Sequence, residues 1–136
     1  MKKSVFLITL ILLVTNCKSQ EVIYSDDLPN ESDLAIIGIE LGKDMNLITF
    51  VDDFKNDSIS VANDDKLIFK GEISTDPTLG ASKGFKFSRK TKYLKIKINN
   101  YKEIKIENDN NYRFIYINKE KNKCIIKYAK KPIKFL

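Results

Sequence analysis

The 136-residue chain contains no histidine, and that absence excludes more chemistry than any motif present suggests. Without imidazole there is no Ser-His-Asp or Cys-His nucleophile pair, no ordinary zinc or copper site, and no proton shuttle that titrates near neutral pH. Tryptophan is also missing, and proline occurs three times and glycine five times. The two cysteines, Cys17 and Cys124, stand in very different surroundings. Cys124 lies in the alternating run Lys123-Cys124-Ile125-Ile126-Lys127-Tyr128, which makes it a small buried hydrophobe rather than a nucleophile. Arginine is scarce, with Arg89 and Arg113 beside a large excess of lysine, so planar bidentate reading of phosphate is not the chain's habit. No apolar run reaches the roughly 20 residues that a helix needs to cross a bilayer.

What is present begins with residues 1–17, MKKSVFLITLILLVTNC: two lysines, an apolar run from Val5 to Val14 relieved by Thr9, then Thr15, Asn16 and a cysteine. A basic start followed by a short apolar stretch is the pattern of an export signal, helical while it persists and then removed. Val14-Thr15-Asn16-Cys17 resembles the lipobox of bacterial lipoproteins, with Asn16 standing where a Gly, Ala or Ser is usual. The resemblance implies cleavage before Cys17, a diacylglycerol on its sulfur, a further palmitate-type acyl chain on its amine, and residence at the cell envelope. Lys18, rather than Asp, after the cysteine implies the outer membrane. Two or three acyl chains, each buried CH₂ contributing about 0.8 kcal/mol, hold a protein stably where one chain would not. With Cys17 acylated, Cys124 has no partner for an intrachain disulfide.

The 119 residues after Cys17 suit one domain with a modest core. The expected organisation is a signal peptide over 1–16, a lipidated cysteine and polar tether over 17–33, and a β-domain over 34–136. Lys18 to Asp33 reads as tether because of its Ser, Gln, Asp, Pro29, Asn30 and Glu31. Leu34 to Leu41 is apolar and β-branched, Gly42-Lys43-Asp44 supplies a turn, and Asn46 to Val51 reads as a second strand, so a first hairpin is expected there. Ile59 and Val61, a turn at Asn63-Asp64-Asp65, and then Leu67, Phe69, Gly71 and Ile73 on one face predict a second hairpin with a bulge at Gly71. Phe85 and Phe87 alternate with lysines in the next strand. The strongest alternation sets Leu94, Ile96 and Ile98 against Lys95, Lys97 and Asn99, continued by Ile104 and Ile106 against Lys105 and Glu107. Tyr112 to Ile117 is apolar on both faces and so belongs near a sheet centre, and Cys124 to Tyr128 forms a last strand before Pro132. Roughly nine short strands with turn signals every 8–12 residues predict an all-β fold: a small antiparallel β-sandwich, immunoglobulin-like, or else a small barrel. In architecture the chain is similar to many small lipoproteins with such a domain, a likeness that does not fix function.

Charge is polarised along the sequence. Lys18 to Asp65 holds three basic and twelve acidic residues, whereas Lys66 to Leu136 holds nineteen basic and six acidic. Lysines on solvent faces and strand edges discourage edge-to-edge aggregation. They also offer a cationic sheet face, centred on Lys95, Lys97 and Lys105, to an anionic lipid, an acidic glycan or an acidic envelope protein. Nucleic acid is not expected as a partner, because aromatics at alternating spacing belong to a sheet rather than to a base-stacking platform. No cofactor is expected. The carboxylates at Asp52-Asp53, Asp57, Asp64-Asp65 and Asp76 lack the spacing of a calcium loop, and no metal site is assigned. Two classes of function fit: a lipid-anchored binding or structural module, which is not an enzyme, or a small envelope enzyme inhibitor working through a loop such as Thr75 to Lys83. A carboxylate-based hydrolase fits less well, because a sandwich of this size offers little cleft.

Overall fold

A computed structural model describes residues 19–78, 80–120 and 123–132. Among these described residues nine strands form two sheets: β1 (Ser19–Ser25), β2 (Met45–Val51), β3 (Asp57–Asn63), β4 (Lys66–Ile73), β5 (Ala81–Ser88), β6 (Tyr93–Ile98), β7 (Ile104–Glu107), β8 (Phe114–Lys119) and β9 (Lys123–Ala129). The five-stranded sheet has the order β1-β9-β8-β2-β5 and the four-stranded sheet the order β4-β3-β6-β7. The fold is therefore an all-β sandwich, and neither sheet closes into a barrel. Its pairing is mixed, since β1 lies parallel to β9 and β2 parallel to β8.

Alternation places the core. Ile48 and Phe50 of β2, Ile115 and Ile117 of β8 and Ile126 of β9 face Ile59 and Val61 of β3, Leu94, Ile96 and Ile98 of β6 and Ile104 and Ile106 of β7, all buried in one cluster. Cys124 is buried among them, as its surroundings in sequence suggest. A second cluster lies on the other side of the five-stranded sheet, where Ile37 and Leu41 cover Val51, Phe114, Tyr116 and Ala129. The double-sided apolarity of β8 follows directly. Ile115 and Ile117 face the partner sheet, while Phe114 and Tyr116 face the cover.

That cover corrects the expected first hairpin. Glu31–Ile36 is a helix, α1, which runs on as a π-helical turn over Ile37–Leu41. Its start is a capping box: the Asn30 side chain accepts from the Asp33 amide at 2.8 Å and the Asp33 carboxylate accepts from the Asn30 amide at 3.0 Å. Its end is Gly42, whose φ of 77° suits glycine and whose N–H donates to the Ile37 carbonyl. An apolar run of this length is compatible with either period. The helix wins because Ile37 and Leu41, four residues apart, fall on one face above the sheet.

The polar tether expected before residue 34 is also corrected. Ser19–Ser25 pairs with β9 along its whole length, from Ser19 against Lys123 to Ser25 against Ala129. Val22-Ile23-Tyr24 supplies strand-forming side chains, and the surrounding polar residues suit an edge strand that is wet on both faces. Ion pairing of Lys123 with Glu21 at 2.6 Å and stacking of Tyr24 on Tyr128 hold β1 in place.

The β3–β4 and β6–β7 hairpins form as expected, with Val61 against Phe69 and Ile96 against Ile104. The bulge in β4, however, falls at Ile68 and not at Gly71, since the register slips between Val61–Phe69 and Ala62–Leu67. Phe69, Gly71 and Ile73 keep the inner face, but Leu67 turns outward and is 56% exposed.

Candidate functional site

The outer face of the four-stranded sheet carries the lysines singled out from the sequence. Because Leu94, Ile96 and Ile98 point inward, Tyr93, Lys95 and Lys97 of β6 point outward, as does Lys105 of β7. Lys95 and Lys105 are direct cross-strand partners, a like-charge pairing that is unfavourable alone. Two features relieve it. Asp65, at the tip of the β3–β4 turn, pairs with Lys95 at 2.6 Å. The Tyr93 ring lies under both ammonium groups, 4.4 Å from Lys105 and 5.5 Å from Lys95. The Lys95 hydrogen bond, with that from the Tyr93 hydroxyl, holds the Asp65 carboxyl below its ordinary range, and the same contact raises Lys95. Lys95 is thus largely spent within the fold.

Lys97 is not. Its cross-strand neighbour on β3 is Ser60, and on the far side of Ser60 lies Lys70 of β4. Lys70, Ser60 and Lys97 therefore form one row across three strands, with the two lysine backbones about 10 Å apart at the usual strand spacing. The row crosses a groove of about 350 Å³ lined by Ser58, Ser60, Leu67, Lys70, Lys97 and Asn99, together with part of Ile59. Among the described residues neither lysine of this row has an ion-pair partner, and no carboxylate lines the groove. By register two carboxylates stand near the row: Glu72, opposite Ser58, lines a separate groove with Phe69 and Phe85, and the β6–β7 pairing continued past Ile96–Ile104 sets Glu103 across from Lys97. Asn99 is held by its neighbours: its Nδ2 donates to Asp57 at 2.6 Å and its Oδ1 accepts from the Ser58 amide at 2.8 Å.

Sequence reasoning missed Lys70. Alternation along Phe69, Gly71 and Ile73 does turn Lys70 outward, but its proximity to Lys97 depends on the order β4-β3-β6, which no local pattern carries. Leu67 joins the groove wall only because of the bulge at Ile68.

The two arginines also come together, at the turn before β2. Arg89 donates to the carbonyls of Lys43 and Asn110, and Arg113 donates to those of Gly42 and Met45. Burial, and then the nearby Arg89 charge, lower the Arg113 pKa. Both guanidinium groups donate to backbone through their terminal nitrogens while each Nε is buried without a partner among the described residues, which makes them clamps for the turn. The carboxylates of the predicted loops are likewise occupied at Asp57 and Asp65, and among the described residues no group of three or more His, Cys, Asp or Glu is placed to hold a metal ion. Cys17 and the signal expected over 1–16 lie outside the described residues.

No protein-family model matches the chain, and neither a curated protein nor a solved structure matches it.

Proposed function

We propose that the protein is a lipid-anchored module of the cell envelope, held by acyl chains on Cys17, and that its β-sandwich works by binding an anionic partner rather than by catalysis. The observation that carries this reading is the lysine-bearing outer face of the four-stranded sheet, where Lys70 and Lys97 flank an open groove free of carboxylates. The charge polarity of the sequence and the lipobox-like Val14-Thr15-Asn16-Cys17 support it. The fold also bears on the geometry of such an anchor. β1 begins at Ser19, so Lys18 alone, with at most about 7 Å from the Cys17 Cα to that of Ser19, separates Cys17 from the sandwich. An acylated Cys17 then holds the domain close against the bilayer surface, with the start of β9 and the β2–β3 loop at the near end.

Fractionation of cells expressing the full chain and Cys17→Ala tests the anchor. The unaltered chain is expected in the membrane pellet and the variant in the soluble envelope fraction. Sedimentation of Cys17→Ala with membranes to the same extent as the unaltered chain contradicts the anchor.

A further inference from the structure

The groove between Lys70 and Lys97 has a composition that narrows its ligand. Lys70 and Lys97 flank the groove from opposite sides with Ser60 between them, and Ser58, outward-facing like Ser60 by alternation with Ile59 and Val61, adds a second hydroxyl one pleat along, in the row of Glu72 and Asn99. Leu67 forms an apolar wall at one end. Ammonium groups recognise oxyanions as point charges, without the planar geometry that arginine imposes. Hydroxyl groups that donate and accept suit a polyol. The groove is open along the sheet surface and shallow, so it fits a chain lying across it better than a small molecule needing enclosure.

We propose that this groove binds an anionic polysaccharide, with Lys70 and Lys97 contacting its carboxylate or sulfate groups and Ser58 and Ser60 its hydroxyls. The proposal rests on the reading of the domain as a binding module but not on lipidation at Cys17, so the two fail separately. Lys95 and Lys105 stand beside the groove and contribute a diffuse field. Lys95 is already paired with Asp65 and both ammonium groups lie over Tyr93, which leaves Lys70 and Lys97 as the specific contacts.

The test uses the full-length protein as recovered from cells and measures binding to polygalacturonate, dextran sulfate, neutral dextran and vesicles of phosphatidylglycerol in phosphatidylcholine. Polygalacturonate or dextran sulfate is expected to bind and neutral dextran not, and preference between the first two separates carboxylate from sulfate recognition. Replacing both groove lysines, as Lys70→Ala with Lys97→Ala or as the glutamine pair, is expected to weaken binding at least about tenfold, the loss of two charge-assisted contacts. Ser60→Ala is expected to weaken it a few-fold, while the equal-charge control Lys90→Ala with Lys92→Ala changes it less than about twofold. Absence of binding to either acidic polysaccharide overturns the proposal. So does an equal loss in the control pair, which would reduce the effect to net charge, and so does binding to the anionic vesicles alone.

Discussion

At Asp57 three parts of the chain meet on one carboxylate. Lys119 approaches from β8 at 2.8 Å, Asn99 from the β6–β7 turn at 2.6 Å, and the Lys55 amide from the preceding loop at 2.9 Å. The Asp57 side chain is 8% exposed, so its charge is retained against a desolvation cost. Burial is the largest single influence on it and favours the neutral acid, yet Lys119, Asn99 and the Lys55 amide together outweigh burial and lower the pKa. A depressed pKa means that the stabilisation is present above the unfolded value of about 4 and is lost as pH falls through the folded one. Asp57→Asn is therefore expected to cost about 2 kcal/mol at pH 7, mainly by leaving the Lys119 ammonium without its counter-charge. The gap between variant and parent should begin to shrink below pH ~4, where the unfolded parent's carboxylate takes up its proton, and close as pH falls through the depressed folded value. Urea denaturation at pH 7 and at pH 3 measures both values, and a gap independent of pH would contradict this assignment. Asp57 was visible in the sequence only as one of several loop acids. Its partners lie 42 and 62 residues further along, and nothing local announces them.

Helix α1 shows how an element can be signalled and still be missed. Asn30-Glu31-Ser32-Asp33 is a capping sequence with acids in the first turn, followed by an apolar run and then Gly42, so start and stop are both written locally. The β-branched content of Leu34 to Leu41 outweighs those signals when the run is taken alone, because an apolar stretch of eight residues fits a buried strand as well as a covering helix. The choice belongs to the tertiary structure: Phe114, Tyr116 and Val51 present an apolar outer surface that must be covered. Removing the cap with Asn30→Ala is expected to destabilise the fold by about 1 kcal/mol. Gly42→Ala, at a φ of 77°, should cost a comparable amount, about 1 kcal/mol or more, although open space surrounds the added methyl. Thermal unfolding of the two variants measures this, and an unchanged midpoint for Gly42→Ala would show that the turn conformation is not what ends the helix. β1 was overlooked for a related reason, since an edge strand wet on both faces has the composition of a linker. The hairpins β3–β4 and β6–β7, by contrast, were legible because one dry and one wet face make the alternation explicit.

For the molecule as a whole, strand number and spacing were enough to indicate two sheets, while sheet order was not. The parallel pairs β1–β9 and β2–β8 join segments far apart in sequence. They decide which outer faces are covered and which are open. The outer face of the five-stranded sheet is roofed by Ile37 and Leu41, leaving the opposite outer face, with Lys70 and Lys97, as the surface that meets solvent. Half of the candidate groove was therefore legible as the lysine alternation of β6, and the other half depends on β4 being placed two strands away with a bulge that turns Leu67 outward. If Cys17 carries the proposed acyl anchor, the sandwich, whose β1 begins at Ser19, is held near the membrane surface on a very short link. The most direct measurement is the intact mass of the protein recovered from the membrane fraction. The account predicts a chain beginning at Cys17 with the added mass of a diacylglycerol and a further acyl chain, and an unmodified chain, or one with another first residue, would contradict it.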